Sequence, residues 1–252
     1  MFKFFRQLRQ KLISGNSLSK YLLYAIGEII LVVIGILIAL QINNRNEKQK
    51  VLEKEIEILR LFQESLTADL EKFEKVAAFF DLSKGSIDRI LDHLENDLPF
   101  TDTLAYDFFN STYVYEQSSF TNGVFEALKS TGIELISNKN LRQQIAAVYD
   151  DTDPWMESVE KRYIDIMFEA KREVYKTRFD QFWGGTQIDA VIVGKMYPLN
   201  FSALKTDKEY TYFLQTQLNL MYWLIEKPLL EGKTRGTLLK ESIEKELELL
   251  AK

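Results

Sequence analysis

The sequence predicts an all-α protein in which one N-terminal transmembrane helix continues into a long helix, followed by an extramembrane helical bundle. Three observations predict this fold. Residues 21–41 form an apolar run, large apolar residues recur every seven positions from Leu52 to Phe80, and helical periodicity persists to the C-terminus. The expected segments are a basic amphipathic stretch (1–20), the transmembrane helix (21–41), a long helix with a hairpin partner helix (42–98) and the rest of the bundle (99–252).

The composition excludes several classes of protein. The 252 residues are 46% hydrophobic and 27% charged, which is typical of a folded chain. Because the chain has no Cys and a single His, it cannot form disulfides, thiolate zinc sites or metal sites that need two histidines. Its net charge of -5 argues against a nucleic-acid partner. We therefore predict no cofactor and no metal site.

The transmembrane segment runs from Tyr21 to Gln41 and reads YLLYAIGEIILVVIGILIALQ, with Glu28 as its single charged residue. As a helix it covers roughly 31 Å, which matches the hydrocarbon core of a bilayer. A buried helix of a soluble protein rarely runs this long without polar interruption, and a signal peptide has a shorter apolar region and a small-residue cleavage site. We therefore interpret the segment as an uncleaved anchor.

Residues 1–20 carry five basic residues and no acidic residue, with aromatic and aliphatic residues between them at roughly helical spacing. This pattern predicts an interfacial helix whose cations contact anionic headgroups: Lys3, Arg6, Arg9, Lys11 and Lys20. Residues 42–61, after the span, also contain five Lys or Arg. The number of basic residues on each side therefore does not give the orientation of the span in the membrane. Because a long downstream domain is exported largely regardless of its charge, the short basic tail favours a cytoplasmic N-terminus and an external C-terminal domain.

The runs FKFFRQLRQKLI and KYLLYAIGEIILVVIGILIALQINNRNE resemble the N-terminal signature of a family of uncharacterised membrane proteins of the Bacteroidota. A weaker resemblance covers SFTNGVFEALKSTGIELISNKNLRQQIAAVYD, residues 119–150, with its Leu-Lys-Ser-x-Gly turn. The resemblance implies a single-pass inner-membrane protein of Gram-negative cells. With the orientation expected above, its C-terminal domain would lie in the periplasm. It implies no activity.

One face of the predicted span combines an acidic residue with small residues: Ala25, Glu28, Val32, Gly35 and Ala39. Small residues four positions apart let two helices approach closely, so this face predicts a homo-oligomer or a contact with another membrane protein. A carboxylate facing lipid at this depth costs about 2.5 kcal/mol or more. Three roles for Glu28 remain open: a polar contact inside a homo-oligomer, a pair with a basic residue of a partner, and a proton or ion relay.

The stretch after the span has a seven-residue repeat of apolar residues, and its seam consists of Leu52, Leu59, Leu66, Phe73 and Phe80. Such a seam is typical of a coiled-coil stalk or of the core-facing side of a bundle helix. Phe62 and Val76 widen the apolar stripe, which favours the core helix.

The remaining chain predicts helices joined by short loops. Lys84-Gly85-Ser86 is expected to begin the hairpin partner helix, which Pro99 ends. Later helices are expected from Gly123 to Gly132, from Asn138 or Asn140 to Tyr149, and at 155–182, 206–226 and 235–251, the last two joined near Pro228, Gly232 and Gly236. Residues 191–193 are the best strand candidate but are too isolated to predict a sheet.

Three features could suggest an active site, and each has a simpler interpretation. The run Asp150-Asp151-x-Asp153 lacks the Gly and Glu that a calcium loop requires at positions 6 and 12, so it predicts an acidic helix start. Gly184-Gly185 follows a predicted helix and is expected to end it. His93 lies off the apolar face of its helix and is expected at the surface. We therefore predict that the protein is not an enzyme.

Aromatic residues are abundant, with seventeen Phe, twelve Tyr and three Trp, and most are expected in the core. A pocket between helices could also use some of them. The candidates are Tyr106, Phe109, Tyr113, Tyr115, Trp155, Tyr163, Trp183, Tyr210, Tyr212, Tyr222 and Trp223.

These patterns favour a membrane-anchored interaction or scaffold protein of the bacterial cell envelope that assembles through its transmembrane helix. Two alternatives stay open. One is a periplasmic sensory or ligand-binding module acting through a partner, because only twenty residues would remain in the cytoplasm. The other is a proton-coupled accessory subunit that uses Glu28.

Overall fold

The computed structural model describes residues 18–112, 118–182, 184–188 and 191–252. The chain divides into two compact units, Met1–Lys54 and Glu55–Lys252. Most of the described residues are helical, which confirms the predicted all-α class.

Helix α1 spans Leu18–Glu95 and contains both the predicted span and the long helix that follows it. Its N-terminal part is long and apolar enough to cross a membrane, by length and composition, and none of that apolar stretch is buried. The predicted continuation of the span into a long helix is therefore confirmed. Residues 1–17 of the predicted basic segment (1–20) lie outside the described residues. Its last basic residue, Lys20, lies in the first turn of α1.

Within the second unit, α1 presents its seven-residue seam to the core. Leu59, Leu66, Phe73 and Phe80 are almost completely buried, and so are the flanking Phe62 and Val76. This breadth of burial confirms the interpretation of this part as the core helix of a bundle.

The hairpin predicted at Gly85 is wrong, because α1 continues through Gly85 to Glu95. A glycine inside a helix costs about 1 kcal/mol relative to alanine, and the tertiary contacts of the neighbouring serines outweigh this cost. Ser83 and Ser86 are buried, and their hydroxyls donate to Asn110 O at 2.9 Å and to Asp107 Oδ1 at 2.9 Å. Ser86 therefore makes a tertiary contact instead of starting a new helix.

Three short helices follow: α2 (Asp102–Thr112), α3 (Gly123–Thr131) and α4 (Lys139–Ala146). Gly132 ends α3 with a φ of 110°, in the region that favours glycine, as predicted. Asn138, rather than Asn140, caps α4 by accepting the N–H groups of Asn140 and Leu141.

Helix α4 continues through a π-helical turn, Ala147–Thr152, into α5 (Asp153–Glu173). Helix α5 ends earlier than the predicted residue 182 and is followed by a 3-10 turn, Tyr175–Thr177. Arg178 contributes to this earlier end, because its guanidinium donates to Val174 O at 2.9 Å and to Asp207 Oδ2 at 2.7 Å. The cation thereby satisfies a terminal carbonyl of the helix.

A short helix α6 (Phe201–Leu204) precedes α7 (Lys208–Met221), which passes through a second π turn, Tyr222–Glu226, into α8 (Lys227–Leu250). The joint predicted near residues 228–236 is wrong. Pro228 occupies the first turn of α8, where a proline is tolerated. Gly232 and Gly236 are buried against Met156 and Phe120, so they permit close packing of α8 instead of ending the helix.

Helix α8 packs antiparallel to α1. The contacts run in opposite order along the two segments. Lys84 lies 2.5 Å from Glu226, the residue before α8, Glu74 lies 2.5 Å from Lys233, and Gln63 donates to Glu244 at 3.1 Å. These pairs align the C-terminal helix with the core face of α1.

The strand predicted at residues 191–193 does pair, contrary to expectation. Strands β1 (Gly185–Ile188) and β2 (Val191–Gly194) form a two-stranded antiparallel hairpin in which Gly185 faces Gly194. A Cβ at either glycine would clash with the ring of Phe109. Gly185 therefore begins a strand against an aromatic side chain and does not end a helix.

Candidate functional site

The first candidate surface is the predicted interface of the span. Its five residues, Ala25, Glu28, Val32, Gly35 and Ala39, all lie on α1, and their spacing places them within an arc of about 80°. Glu28, Gly35 and Ala39 are exposed, as is 58% of Val32. A Cβ added at Gly35 would meet nothing within 4 Å, so this position leaves room for another helix.

A second feature lies in the core of the Glu55–Lys252 unit, where three carboxylates hold the 118–122 loop. Asp69 of α1 accepts Thr121 N at 2.8 Å and Thr121 Oγ1 at 2.7 Å. Asp153 of α5 accepts Phe120 N at 2.6 Å, and Glu160 of the same helix accepts Ser118 N at 3.0 Å. All three carboxylates are at most 3% exposed. We call them the carboxylate clamp.

The clamp contains one nearby cation, Lys72, whose Nζ lies 3.6 Å from Asp69 Oδ1 and also donates to Ser119 O. Burial raises the pKa of Asp153 and of Glu160, although hydrogen bonds from the loop and the charge of Lys72 act in the opposite direction. The clamp is therefore held by directed hydrogen bonds inside an environment that disfavours charge.

Two further acids fix the start of α4. Glu55 of α1 accepts Ser137 N at 2.6 Å and Ser137 Oγ at 2.8 Å. Glu246 of α8 accepts Asn138 Nδ2 at 2.7 Å, so the N-cap of α4 is itself held by the C-terminal helix. These contacts set where α4 and the first π turn lie against α8.

A groove between those elements is the second candidate surface, which we call the π groove. It consists of two adjoining depressions of about 330 and 490 Å³ that share Glu231 and Arg235. Asp151, Thr152 and Trp155 line the first depression from the side of the first π turn. The walls of the second are lined by Gln144, Ala147, Val148, Thr234, Leu238, Leu239, Glu241, Ser242 and Lys245.

The chemistry of the π groove is mixed. Trp155 and Leu238 are exposed apolar side chains, and charges of both signs stand beside them. Lys227 lines the first depression and lies 4.6 Å from the ring centroid of Trp223. The first π turn lines the groove through Asp151 and Thr152, and the second π turn directly precedes α8. Such π turns are frequent at functional sites. The groove suits a partner surface that combines apolar and charged groups.

The predicted aromatic pool does not gather into one pocket. Tyr163, Tyr210 and Phe109 are core residues, whereas Tyr106, Trp155, Tyr212, Tyr222 and Trp223 are exposed. Only Trp155 lines the π groove. Tyr113, Tyr115 and Trp183 lie outside the described residues.

The three enzyme-like features of the sequence occupy separate places. Asp150 is exposed, Asp151 lines the π groove, and Asp153 belongs to the carboxylate clamp and to the first turn of α5. His93 Nδ1 lies 3.0 Å from Pro99 O, in the last turn of α1. Among the described residues, no group of three or more His, Cys, Asp or Glu could hold a metal ion.

Sequence reasoning missed the carboxylate clamp, although its periodicity contained a signal. Glu55, Phe62, Asp69, Val76, Ser83 and Ile90 recur every seven residues on α1, and all six are buried. Polar residues in register with apolar core residues indicate buried hydrogen-bonding groups rather than a solvated face.

Comparisons with known proteins identify a family but no individual relative. No curated protein and no solved structure matches the chain. A family model matches residues 28–156, which include Glu28, the core face of α1, the 118–122 loop and Asp153. The chain therefore belongs to DUF6090, a family of unknown function.

Proposed function

We propose that this protein is a membrane-anchored interaction or scaffold protein of the bacterial cell envelope. In this proposal α1 crosses the inner membrane of a Gram-negative cell of the Bacteroidota once, with residues 1–20 in the cytoplasm and the Glu55–Lys252 unit in the periplasm. Lys3, Arg6, Arg9, Lys11 and Lys20 contact anionic headgroups. The exposed face of Ala25, Glu28, Val32, Gly35 and Ala39 binds a second copy or another membrane protein.

One observation supports the proposal above the others. The N-terminal part of α1 is a continuous helical surface of exposed aliphatic side chains, including Leu31 at 71% and Leu22 at 61% exposure. Burying such side chains is favourable by about 1.5–3 kcal/mol each, so this surface is stable only against lipid or protein. The length and composition of the helix suit a bilayer.

Topology is tested by fusing alkaline phosphatase, which is active only outside the cytoplasm, and green fluorescent protein after residue 54 and after residue 252. We expect active phosphatase and dark fluorescent protein at both positions. Fluorescent fusions without phosphatase activity would contradict the orientation, and extraction of the protein by alkaline carbonate would contradict the anchor.

Assembly is tested by measuring the mass and composition of the complex purified from native membranes. The variant Glu28→Ala removes the polar residue of the proposed interface, and Ile30→Ala is the matched control because residue 30 faces the opposite side of the helix. We expect Glu28→Ala to lose the homo-oligomer or partner that the wild type and Ile30→Ala retain. A monomer in all three samples would contradict the proposal.

Glu28→Gln separates a structural role from proton coupling. The glutamine keeps hydrogen-bonding capacity but cannot exchange a proton, so an intact complex with an unaltered phenotype favours the structural role. An intact complex with a lost phenotype favours the proton-coupled subunit.

A periplasmic ligand-binding module is the second candidate, and the π groove is the observation that favours it. Its depressions fall within the range of about 300–1,000 Å³ typical of ligand sites. Mass spectrometry of small molecules retained by the purified protein tests this candidate, with Arg235→Ala as the groove variant. A compound retained by the wild type and lost in the variant would support it.

A further inference from the structure

The first depression of the π groove has two walls with opposite net charge. Asp151 belongs to the wall that the first π turn and the start of α5 form. Lys227, Glu231 and Arg235 belong to the other wall, and their four-residue spacing places them in one row along α8. The α8 wall, with two cations and one anion, is therefore net positive, whereas the π-turn wall is net negative.

The charges of both walls are available to a ligand. No described residue forms an ion pair or a hydrogen bond with the carboxylate of Asp151. The Lys227 ammonium lies over the ring of Trp223, 4.6 Å from its centroid, and pairs with no described acid. Arg235 Nε donates to Glu231 Oε1 at 2.6 Å, which fixes the guanidinium. Both Nη groups of Arg235 have no hydrogen-bond acceptor in the described part of the chain, so they can bind an anionic group.

An apolar surface accompanies these charges in the same depression. Trp155, in the first turn of α5, lines it and is 41% exposed. An indole ring packs well against another aromatic ring or an aliphatic chain. The depression has a volume of about 330 Å³, at the lower end of the range of about 300–1,000 Å³ for ligand sites, so it suits one small molecule.

The two charged walls discriminate between classes of ligand. An uncharged sugar would cover the charged groups of both walls without pairing them. A phosphate or another simple anion would meet Asp151, and a simple cation would meet Lys227 and Arg235. A zwitterion pairs with both walls, because its carboxylate accepts hydrogen bonds from the α8 cations and its ammonium donates to Asp151.

We propose that this depression binds a free α-amino acid with an aromatic or aliphatic side chain. The carboxylate of the ligand faces Lys227 and Arg235, its ammonium faces Asp151, and its side chain packs against Trp155. An α-amino acid carries both charged groups on one carbon, so a single small molecule meets both walls. This inference rests on the second candidate function, the periplasmic ligand-binding module, and names the ligand class of that module.

Calorimetric titration of the full-length protein in nanodiscs tests the need for both charges. The probes are L-phenylalanine, L-leucine, phenylpropanoate, which lacks the ammonium of phenylalanine, and phenethylamine, which lacks its carboxylate. We expect L-phenylalanine to bind about fivefold more tightly than phenylpropanoate or phenethylamine, because each of these loses one ion pair. Equal affinities for these three probes, or no binding of either amino acid, would overturn the proposal.

Two variants that each remove one charge test the orientation of the ligand. Asp151→Asn should weaken the binding of phenylalanine and phenethylamine about fivefold and leave that of phenylpropanoate unchanged. Arg235→Gln should weaken the binding of phenylalanine and phenylpropanoate by a similar factor and should not weaken that of phenethylamine.

Asp150→Asn is the matched control for these variants, because Asp150 is the adjacent exposed carboxylate and does not line the depression. We expect this control to bind every probe as the wild type does. A loss of the same size in Asp150→Asn, or unchanged affinities in both groove variants, would overturn the proposal.

Mass spectrometry of the compounds retained by the purified protein separates this inference from the function on which it rests. A compound that is lost in Arg235→Ala but has no ammonium or no carboxylate group would overturn the amino-acid assignment and still support the ligand-binding module. Failure of every probe to bind, with no compound retained, would overturn both.

Discussion

Asp69 of α1 and Asp153 of α5 accept the backbone N–H groups of two consecutive residues, Thr121 at 2.8 Å and Phe120 at 2.6 Å. Two carboxylates from different helices thus replace the secondary-structure partners that this loop lacks. A buried N–H group such as that of Phe120 must be hydrogen-bonded, and here both acceptors come from the bundle core. The clamp fixes the loop that leads into α3.

Asp153→Ala should destabilise the protein by about 1–3 kcal/mol, because Phe120 N would lose its acceptor in a buried place. Urea denaturation followed by circular dichroism measures the change. Asp151→Ala is the control, since Asp151 is exposed in the preceding π turn, and its effect should stay within about 0.5 kcal/mol. Equal losses in the two variants would contradict a specific role of the clamp.

The pH dependence of stability should reflect the raised pKa of Glu160, which burial causes. Folding favours the protonated form of such a carboxyl, so its contribution is complete below the ordinary pKa of 4.5 and is lost as the pH rises through the folded-state pKa. Glu160→Gln should therefore reduce the fall of the urea midpoint with rising pH. An unchanged profile in this variant would contradict the assignment.

Asp207 should give stability a pH dependence of the opposite sign to that of Glu160. The guanidinium of Arg178 lowers the pKa of Asp207 below its ordinary value of 3.8, so this stabilisation is present above pH 3.8 and is lost as the pH falls through the folded-state pKa. Asp207→Asn should lower the midpoint near neutral pH and make it less sensitive to acid. An effect confined to acidic pH would contradict this prediction.

Gly232→Ala and Gly85→Ala should shift stability in opposite directions. A Cβ at residue 232 would lie 2.6 Å from Met156 Cε in the core, so we expect a loss of about 1–3 kcal/mol from overpacking. A Cβ at residue 85 meets only Nη1 of Arg89, at 3.3 Å, so the better helix propensity of alanine should add up to about 1 kcal/mol. Thermal unfolding measures both, and a loss in Gly85→Ala would show that this position is more crowded than its geometry indicates.

Asn138→Ala should cost about 1–2 kcal/mol. The variant removes the N-cap of α4 and also deprives Glu246, which is 8% exposed, of a hydrogen-bond donor. Asn140→Ala is the control, because the sequence allows either asparagine as the cap. Asn140 is exposed and its side chain does not cap α4, so we expect a smaller loss. Denaturation midpoints compare the variants, and a larger loss in Asn140→Ala would contradict the observed cap.

Periodicity and turn chemistry predicted those parts of the fold that depend on neighbours in sequence. The seam from Leu59 to Phe80, the Gly132 stop and the cap before α4 all follow from local rules, and each is observed. Glycine was misleading at Gly85 and Gly232, where local rules predict a break in the helix. At Gly232 packing against Met156 of α5 decides, and at Gly85 the tertiary hydrogen bonds of the neighbouring Ser83 and Ser86 decide.

The sequence by itself determined that the chain is helical and that its N-terminal helix is apolar enough for a membrane, because hydrophobic length and period are local properties. Only the tertiary structure decided which acids are buried. Asp69 and Asp153 accept hydrogen bonds from a loop that lies between them in the sequence, and this arrangement depends on the packing of their helices. The tertiary structure also decided the pairing of β1 with β2 and the two walls of the π groove. Each of these depends on groups far apart in sequence, and their hydrogen-bonding and packing partners are fixed only when the helices come together.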